Sequence, residues 1–208
     1  MDVIDRVENI RSKVRITFES GWVVWLSRKE LQSRPLQAGM QVDPVAFRRF
    51  VHLCQDAPAL DRAVAMLASR PCSTQEIRQK LRLLHYDDEV IAQVIEKLEK
   101  NNLLDDRDFA EQWIQSRIRK YGVNRIHQEL RLKGVEEEIT RSVTEEVPEE
   151  LQLQNAVKLA EKKLDVNHQQ EDPRKTYRRV TAFLVRRGYS WDLAKKAYEI
   201  ASSNHSPE

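Results

Sequence analysis

Three stretches of the chain share one pattern that decides the fold. They read Ile77-Arg-Gln-Lys-Leu81-Arg-Leu-Leu-His85-Tyr86, Ile126-His-Gln-Glu-Leu130-Arg-Leu-Lys-Gly134-Val135 and Val180-Thr-Ala-Phe-Leu184-Val-Arg-Arg-Gly188-Tyr189. Each stretch places apolar residues at positions i and i+4, a turn residue at i+8 and another apolar residue at i+9. Apolar residues four apart lie on one face of a helix. The pattern therefore predicts three copies of one helical unit.

Helix start and stop signals frame the same units. Gly134 and Gly188 fall where a helix ends and a positive φ is needed, and His85 holds this position in the first copy. The segment Ser73-Thr-Gln-Glu76 matches a capping box. Each copy therefore predicts three short helices, and a unit this small needs its neighbours to bury enough apolar surface.

The N-terminal region differs from the repeats. Residues Lys13–Glu19 alternate between polar and apolar, Ser20-Gly21 favours a turn, and Trp22–Leu26 has high β propensity. A helix opened by Asp43-Pro44 follows and is predicted to run to about Cys54. These signals predict a β-hairpin followed by a helix.

We therefore predict a mainly α-helical fold of tandem three-helix repeats that form an elongated curved array, with a small N-terminal β-hairpin and helix. The predicted regions are 1–56 for the N-terminal part, 57–104 for the first repeat, 105–147 for the second and 148–208 for the third. The third repeat is predicted to include a lengthened loop, Asp165–Pro173, and a short tail.

Composition argues for a cytosolic protein. No apolar run approaches the ~20 residues that cross a bilayer, and the N-terminus lacks the basic and apolar regions of a signal peptide. Cys54 and Cys72 are too few for a disulfide framework and are not spaced as metal ligands. We expect a cytoplasmic monomer that does not contact membranes.

Motifs for catalysis are missing from the sequence. The five glycines fall at predicted turns and form no phosphate-binding loop, and the five histidines are scattered. Asp105 and Asp106, with Asp108 beside them, could hold Mg²⁺, but acidic residues before a helix also cap its N–H groups. We favour the capping interpretation and expect no enzymatic activity, no metal and no cofactor. Trp113 could stack on a base, but its place in the repeat predicts a core residue.

Charge is distributed unevenly along the chain. The net charge is only +2, yet residues 101–150 carry 8 basic and 12 acidic side chains, whereas residues 151–208 carry 11 and 7. Basic residues recur around the same helix-turn-helix of each copy, so stacked repeats would align them for phosphates or an acidic protein surface. The alternative is an ordinary solvated helix face. The predicted partner-binding residues are Arg117, Arg119, Lys120, Arg125, Arg131, Lys133, Arg174, Lys175, Arg178, Arg179, Arg186 and Arg187.

Three ordered motifs resemble the RecX family of bacterial regulatory proteins. The segment Leu103–Arg117 contains two aspartates, Phe-Ala and a later arginine, and Ile126–Val135 contains a Glu-Leu pair before a Lys-Gly step. Upstream, Leu67–Leu81 resembles the first unit of the family. The likeness covers roughly residues 57–203. His85 in place of glycine and the stretched third copy depart from the pattern, and the latter leaves the contact residues of that copy open.

The resemblance implies tandem three-helix repeats that bind the filament of the recombinase RecA on single-stranded DNA. Proteins of this family restrain its strand-exchange, ATPase and coprotease activities in DNA repair and the SOS response, without enzymatic activity of their own. Some also bind DNA weakly. From the residues alone, two alternatives stay open: a stand-alone DNA-binding protein that uses its helix-turn-helix units, and a metal-dependent enzyme centred on Asp105 and Asp106.

Overall fold

The computed structural model describes residues 1–32, 34–165 and 172–205. It confirms the predicted mainly α-helical class with a small N-terminal sheet. The strands are β1 Asp2–Ile10, β2 Lys13–Phe18, β3 Val23–Ser27 and β4 Gln41–Val42. The helices are α1 Arg28–Leu31, α2 Pro44–Ser69, α3 Thr74–Leu83, α4 Asp88–Lys100, α5 Asp106–Arg117, α6 Val123–Leu132, α7 Glu137–Glu145, α8 Glu149–Asp165, α9 Pro173–Arg186 and α10 Trp191–His205.

The chain divides into two compact units between Asp105 and Asp106. The first unit holds the sheet and α1 to α4, and the second holds α5 to α10. Three helix triplets, α2–α4, α5–α7 and α8–α10, each enclose a separate cluster of buried apolar residues. These triplets correspond to the three predicted copies.

The N-terminal sheet contains more strands than the predicted hairpin. β2 and β3 pair antiparallel as predicted, with Thr17 opposite Val23, and the strand order is β3-β2-β1-β4. β1 was not predicted, because a register shift between Ile4 and Arg6 interrupts its alternation. Apolar residues of the sheet pack against the N-terminal half of α2 around Phe47.

Helix α2 is longer than the sequence predicts. The expected end at about Cys54 is wrong, because the helix continues through Pro58 to Ser69. Proline removes one backbone hydrogen bond, but one face of the helix is buried both before and after Pro58. That face buries every fourth residue: Phe47, Val51, Gln55, Ala59 and Ala63. The boundary predicted after residue 56 therefore falls inside this helix.

The predicted turns after α3, α6 and α9 and the predicted capping box before α3 are confirmed. His85, Gly134 and Gly188 have φ values of 63°, 77° and 90°. The Glu76 amide donates to the Ser73 hydroxyl at 3.2 Å, and the Ser73 amide donates back to the Glu76 carboxylate at 3.3 Å. The apolar period and the capping residues therefore position these helix ends as expected.

Most of the long loop predicted for the third triplet, between α8 and α9, lies outside the described residues. α8 ends at Asp165 and α9 begins at Pro173, and residues 166–171 lie outside the described part of the chain, as does the tail from 206 onwards. Within the described part, no helix is both long and apolar enough to cross a membrane.

Candidate functional site

The N-terminus of α6 is capped by the end of a helix from the next repeat. Gly122 precedes α6 and offers no side-chain cap. Instead, the Gly122 amide donates to the Arg187 carbonyl at 2.9 Å, and the Asn124 amide donates to the Gly188 carbonyl at 3.2 Å. Carbonyls at the end of α9 thus satisfy N–H groups that a helix start leaves unpaired. This contact joins the second and third repeats.

Two glycines allow this close approach. A Cβ atom on Gly122 would lie 2.4 Å from the Gly188 carbonyl oxygen. A Cβ atom on Gly188 would lie 2.4 Å from Cβ of Arg125, and the φ of Gly188 is +90°. Both positions therefore exclude larger residues, and Gly188 also needs the left-handed conformation that glycine adopts freely.

Cations and aromatic rings meet beside this junction in a group that we call the Trp113–Tyr121 cluster. The Arg117 guanidinium lies 4.4 Å from the centre of the Trp113 ring, and Lys133 Nζ lies 4.2 Å from it. The Arg125 guanidinium lies 4.1 Å from the centre of the Tyr121 ring. The cluster consists of Trp113, Arg117, Tyr121, Arg125, Glu129, Lys133 and Arg187. These distances are within the range of cation–π attraction.

Arg187 completes the cluster from the third repeat. Its guanidinium lies 5.5 Å from the centre of the Tyr121 ring and 4.8 Å from that of Phe183. Its Nη1 donates to the Lys120 carbonyl at 3.0 Å. The end of α9 is therefore tied to the α5–α6 turn by side chain as well as backbone.

Glu129 holds the cluster together from one position on α6. Its carboxylate accepts hydrogen bonds from Trp113 Nε1 at 3.1 Å and Arg125 Nε at 3.2 Å, and it lies 3.7 Å from Arg117 Nε. The Arg117 and Arg125 side chains are still 36% and 43% exposed. One carboxylate thus orients two guanidinium groups that remain accessible to a partner.

The structure brings some predicted binding residues together and separates others. Arg119 and Lys120 are exposed at the end of α5, next to the cluster. Arg131 Nε lies 3.1 Å from the Glu137 carboxylate, and His127 Nε2 also lies 3.1 Å from it. In the third repeat, Arg179 donates to the Lys163 carbonyl at 3.3 Å and thereby links α9 to α8. The predicted binding residues of α9 that are exposed are Arg174, Lys175, Arg178 and Arg186.

Sequence reasoning did not identify Tyr121 and Glu129 as site residues. A usable signal was present, because Trp113, Arg117 and Tyr121 follow one another at four-residue spacing, as do Arg125 and Glu129. Trp113 packs against the core of α5–α7 as predicted, but cations also cover its ring. The same side chain therefore packs against the core and contacts the cations.

The motif around Asp105 and Asp106 mainly builds the second repeat. α5 begins at Asp106, which places both aspartates where the capping interpretation expects them. Phe109 is buried in the core of this repeat. Arg107 donates to Glu146, the residue after α7, at 2.7 Å, and this hydrogen bond lowers the pKa of the Glu146 carboxyl group.

Another group of side chains has the spacing of metal ligands. Among the described residues, His52, Asp87 and Glu89 place one ligand atom each within 4.8 Å of the others. His52 Nε2 lies 3.5 Å from the Asp87 carboxylate and 3.6 Å from that of Glu89. Arg48 pairs with Glu89 at 2.9 Å, so a cation of the protein already compensates part of this charge.

Comparison with known proteins matches all three helix triplets in order. Models described as the first, second and third three-helix domains of RecX match residues 59–98, 105–143 and 149–198. "Regulatory protein RecX" of Prosthecochloris aestuarii (strain DSM 271 / SK 413) is 37% identical over 149 residues, which cover 70% of this chain and 95% of that protein. The protein of the same name from Clostridium perfringens (strain 13 / Type A) is 25% identical over 198 residues, which cover 95% and 93% of the two chains.

Solved structures share the fold. One described as "Crystal structure of regulatory protein RecX" has a TM-score of 0.65 at 22% identity and covers 98% of this chain and 100% of its own. RecX from Lactobacillus salivarius has a TM-score of 0.66 at 22% identity, with 71% and 96% covered. Three ordered domain matches and a relative of 37% identity show that this chain belongs to the RecX family of regulatory proteins.

Proposed function

We propose that this chain binds the RecA filament on single-stranded DNA and restrains its recombinase, ATPase and coprotease activities in DNA repair and the SOS response. Its membership in a family of regulatory proteins supports a role in control rather than catalysis. The Trp113–Tyr121 cluster is the observation that carries the proposal, because it places partly exposed cations against aromatic rings.

The composition of the cluster suits a phosphate-bearing partner. Glu129 lies beside Arg117 and Arg125, and Arg187 adds a third guanidinium at the Tyr121 ring, so the guanidinium groups of the cluster outnumber this carboxylate. A guanidinium has five donors in a fixed plane and binds phosphate oxygens in a bidentate way. Because Glu129 and the rings already hold Arg117 and Arg125 in place, little side-chain entropy is lost when a phosphate binds.

Exposed basic residues of α9 extend the proposed surface within the second unit. Arg174, Lys175 and Arg178 are exposed on α9, which ends at Arg186 beside Arg187 of the cluster. Several weak contacts along a repetitive partner add up, since each bound contact raises the effective concentration of the next. We therefore propose that the chain holds its partner through many weak contacts. We further propose that it does so as a cytoplasmic monomer.

The direct test is ATP hydrolysis by RecA on single-stranded DNA with increasing amounts of this protein. We expect the parent chain to lower the rate, and the variant Arg117→Gln/Arg125→Gln to need roughly tenfold more protein for the same effect, since about 1.4 kcal/mol of lost contact corresponds to a factor of ten. The matched control Lys195→Gln/Lys196→Gln removes the same charge from exposed positions of α10 and should inhibit like the parent. An unchanged rate at saturating parent protein would refute the proposal.

A stand-alone DNA-binding protein is the second candidate, and the same aromatic rings favour it. Aromatic side chains with nearby cations are typical of sites for single-stranded nucleic acid. This candidate predicts tight binding of oligo(dT) without RecA, with an affinity that falls steeply as salt rises. If a gel shift at physiological salt finds such binding while RecA activity is unaffected, the second candidate replaces the first.

A further inference from the structure

A groove between α8 and the end of α5 combines aliphatic, amide and cationic side chains. It encloses about 850 Å³ and is lined on one side by residues of α8 and on the other by the end of α5. Its α8 wall includes Leu151, Asn155, Lys158 and Lys162, which follow one another at helical spacing on one face. The groove lies entirely within the second unit, where the second and third repeats meet.

The charged residues that line this groove are all cations. Arg119 comes from the end of α5, and Lys158 and Lys162 come from successive turns of α8. All three are exposed, and none has a carboxylate partner among the side chains that the structure describes, which exclude that of Asp165. The described lining contains no aspartate or glutamate. The groove is therefore complementary to a negatively charged occupant.

A buried amide in the wall points to a ligand that accepts hydrogen bonds. Asn155 is only 7% exposed, and its Nδ2 has no hydrogen-bond partner among the described residues. A buried donor without an acceptor is unfavourable, and because Nδ2 itself has less than 1 Å² of accessible surface, a carbonyl or carboxylate oxygen of a ligand satisfies it only when the side chains that cover it shift. Lys158 stands three residues further along the same helix face, so both groups can contact one bound segment.

The remaining lining favours a peptide over a nucleic acid. Ile118, Leu151 and Leu159 supply aliphatic surface, and no aromatic ring is among the described lining residues, so bases would find no stacking partner. Side-chain amides of Gln115 and Gln154 also line the groove and can pair with a peptide backbone. Aliphatic and amide groups beneath a cationic rim match a peptide that alternates apolar and acidic side chains.

We propose that this groove binds a segment of a protein partner in which aspartate or glutamate residues alternate with aliphatic ones. Lys158 and Lys162 are separated by about 6 Å along the α8 axis, close to the ~6.6 Å between alternate residues of an extended chain. Alternate carboxylates of the segment can therefore meet successive lysines. The inference deepens the proposed function, on which it rests only for the identity of the partner.

The test uses the full chain and the labelled peptide acetyl-Glu-Leu-Glu-Ala-Glu-Leu-Glu-amide, without recombinase. We expect the peptide to bind, to shift the side-chain amide resonance of Asn155 in a nitrogen-resolved NMR spectrum, and to lose about tenfold in affinity in the variant Lys158→Gln/Lys162→Gln. The same peptide with glutamine in place of glutamate should bind equally weakly. The Lys195→Gln/Lys196→Gln variant should bind the acidic peptide like the parent.

A second variant separates binding from folding. Asn155→Leu removes the unpaired amide, so we expect an equal or higher melting temperature together with weaker peptide binding; a purely structural role would not lower affinity while preserving stability. Absence of peptide binding up to about 1 mM, or a stronger shift of Asn155 by oligo(dT) than by the peptide, would overturn the inference. Because RecA is absent, either result leaves the ATPase test of the proposed function standing on its own.

Discussion

Replacing either glycine at the junction of the second and third repeats should destabilise the second unit, and the two replacements should do so by different routes. In Gly122→Ala the new methyl group would lie 2.4 Å from the Gly188 carbonyl oxygen, at a residue whose φ of −76° suits alanine. In Gly188→Ala the methyl group would lie 2.4 Å from Cβ of Arg125, at a φ of +90°. The first change introduces only a steric conflict, and the second adds backbone strain.

The two contributions can be estimated separately. Overpacking costs about 1–3 kcal/mol, and a left-handed conformation of a residue with a side chain costs about 1–2 kcal/mol. We therefore expect a loss of roughly 2 kcal/mol for Gly122→Ala and roughly 3 kcal/mol for Gly188→Ala. For a chain of this size, about 3 kcal/mol lowers the melting temperature by roughly 6–12 °C. Gly134→Ala is the matched control, because Gly134 has a similar φ of 77° and is exposed.

Two measurements test the expected destabilisation by the glycine substitutions. Circular dichroism during heating gives the melting temperatures, and amide hydrogen exchange gives the protection of Gly122 and Asn124, whose N–H groups donate to the end of α9. We expect Gly188→Ala to lower the protection of the Asn124 amide, whereas Gly134→Ala should not. If all three variants melt together and exchange alike, the close approach of the two repeats does not stabilise the unit and the reasoning fails.

Three further changes test other parts of the fold. Gln55 is buried, donates to the Trp25 carbonyl and accepts from the Asp87 amide, both at 2.8 Å. Gln55→Leu leaves both groups unpaired and should lower the free energy of unfolding in urea by about 2–4 kcal/mol. A smaller loss would contradict this bridging role. Burial raises the pKa of Tyr189 to about 12, above its pKa in the unfolded chain, so the parent should lose stability as pH rises above 10. The variant Tyr189→Phe should lose less stability over the same pH range and be at least as stable as the parent at neutral pH. Equal pH profiles would argue against this. Ser73→Ala removes the capping box and should cost about 1 kcal/mol, whereas Ser73→Asp should restore most of it.

Local signals predicted the helices and their ends, because a helix is determined by neighbouring residues. The four-residue apolar spacing identified α3, α6 and α9, and the positive φ values at His85 and Gly188 follow from the turn that each repeat needs. The extent of α2 depends instead on packing along its whole length, which outweighs the local effect of Pro58. Strand β1 likewise depends on pairing with β2 across a bulge, and its own sequence does not alternate cleanly.

The basic residues of the candidate site were predictable from the sequence, but their arrangement and their partners Tyr121 and Glu129 were not. The basic residues of the second and third copies were identified from the sequence, yet Arg187 meets Lys120 across 67 residues of chain. No local pattern predicts such a contact. Lys158 and Lys162 were overlooked for the same reason, since a lysine pair on one helix gains significance only when another helix supplies Arg119 across a groove.

Arg187 connects the stability of the junction to the proposed binding of a partner. It has five donors, one of which pairs with the Lys120 carbonyl, so the guanidinium can contact a phosphate without releasing α9. A partner that binds only this arrangement stabilises it in turn. Replacing Arg187 and replacing Gly188 should therefore weaken partner binding by different routes. Loss of the Arg187 charge removes an attraction for the partner. Replacement of Gly188 leaves every charge in place but no longer holds Arg187 over the Tyr121 ring.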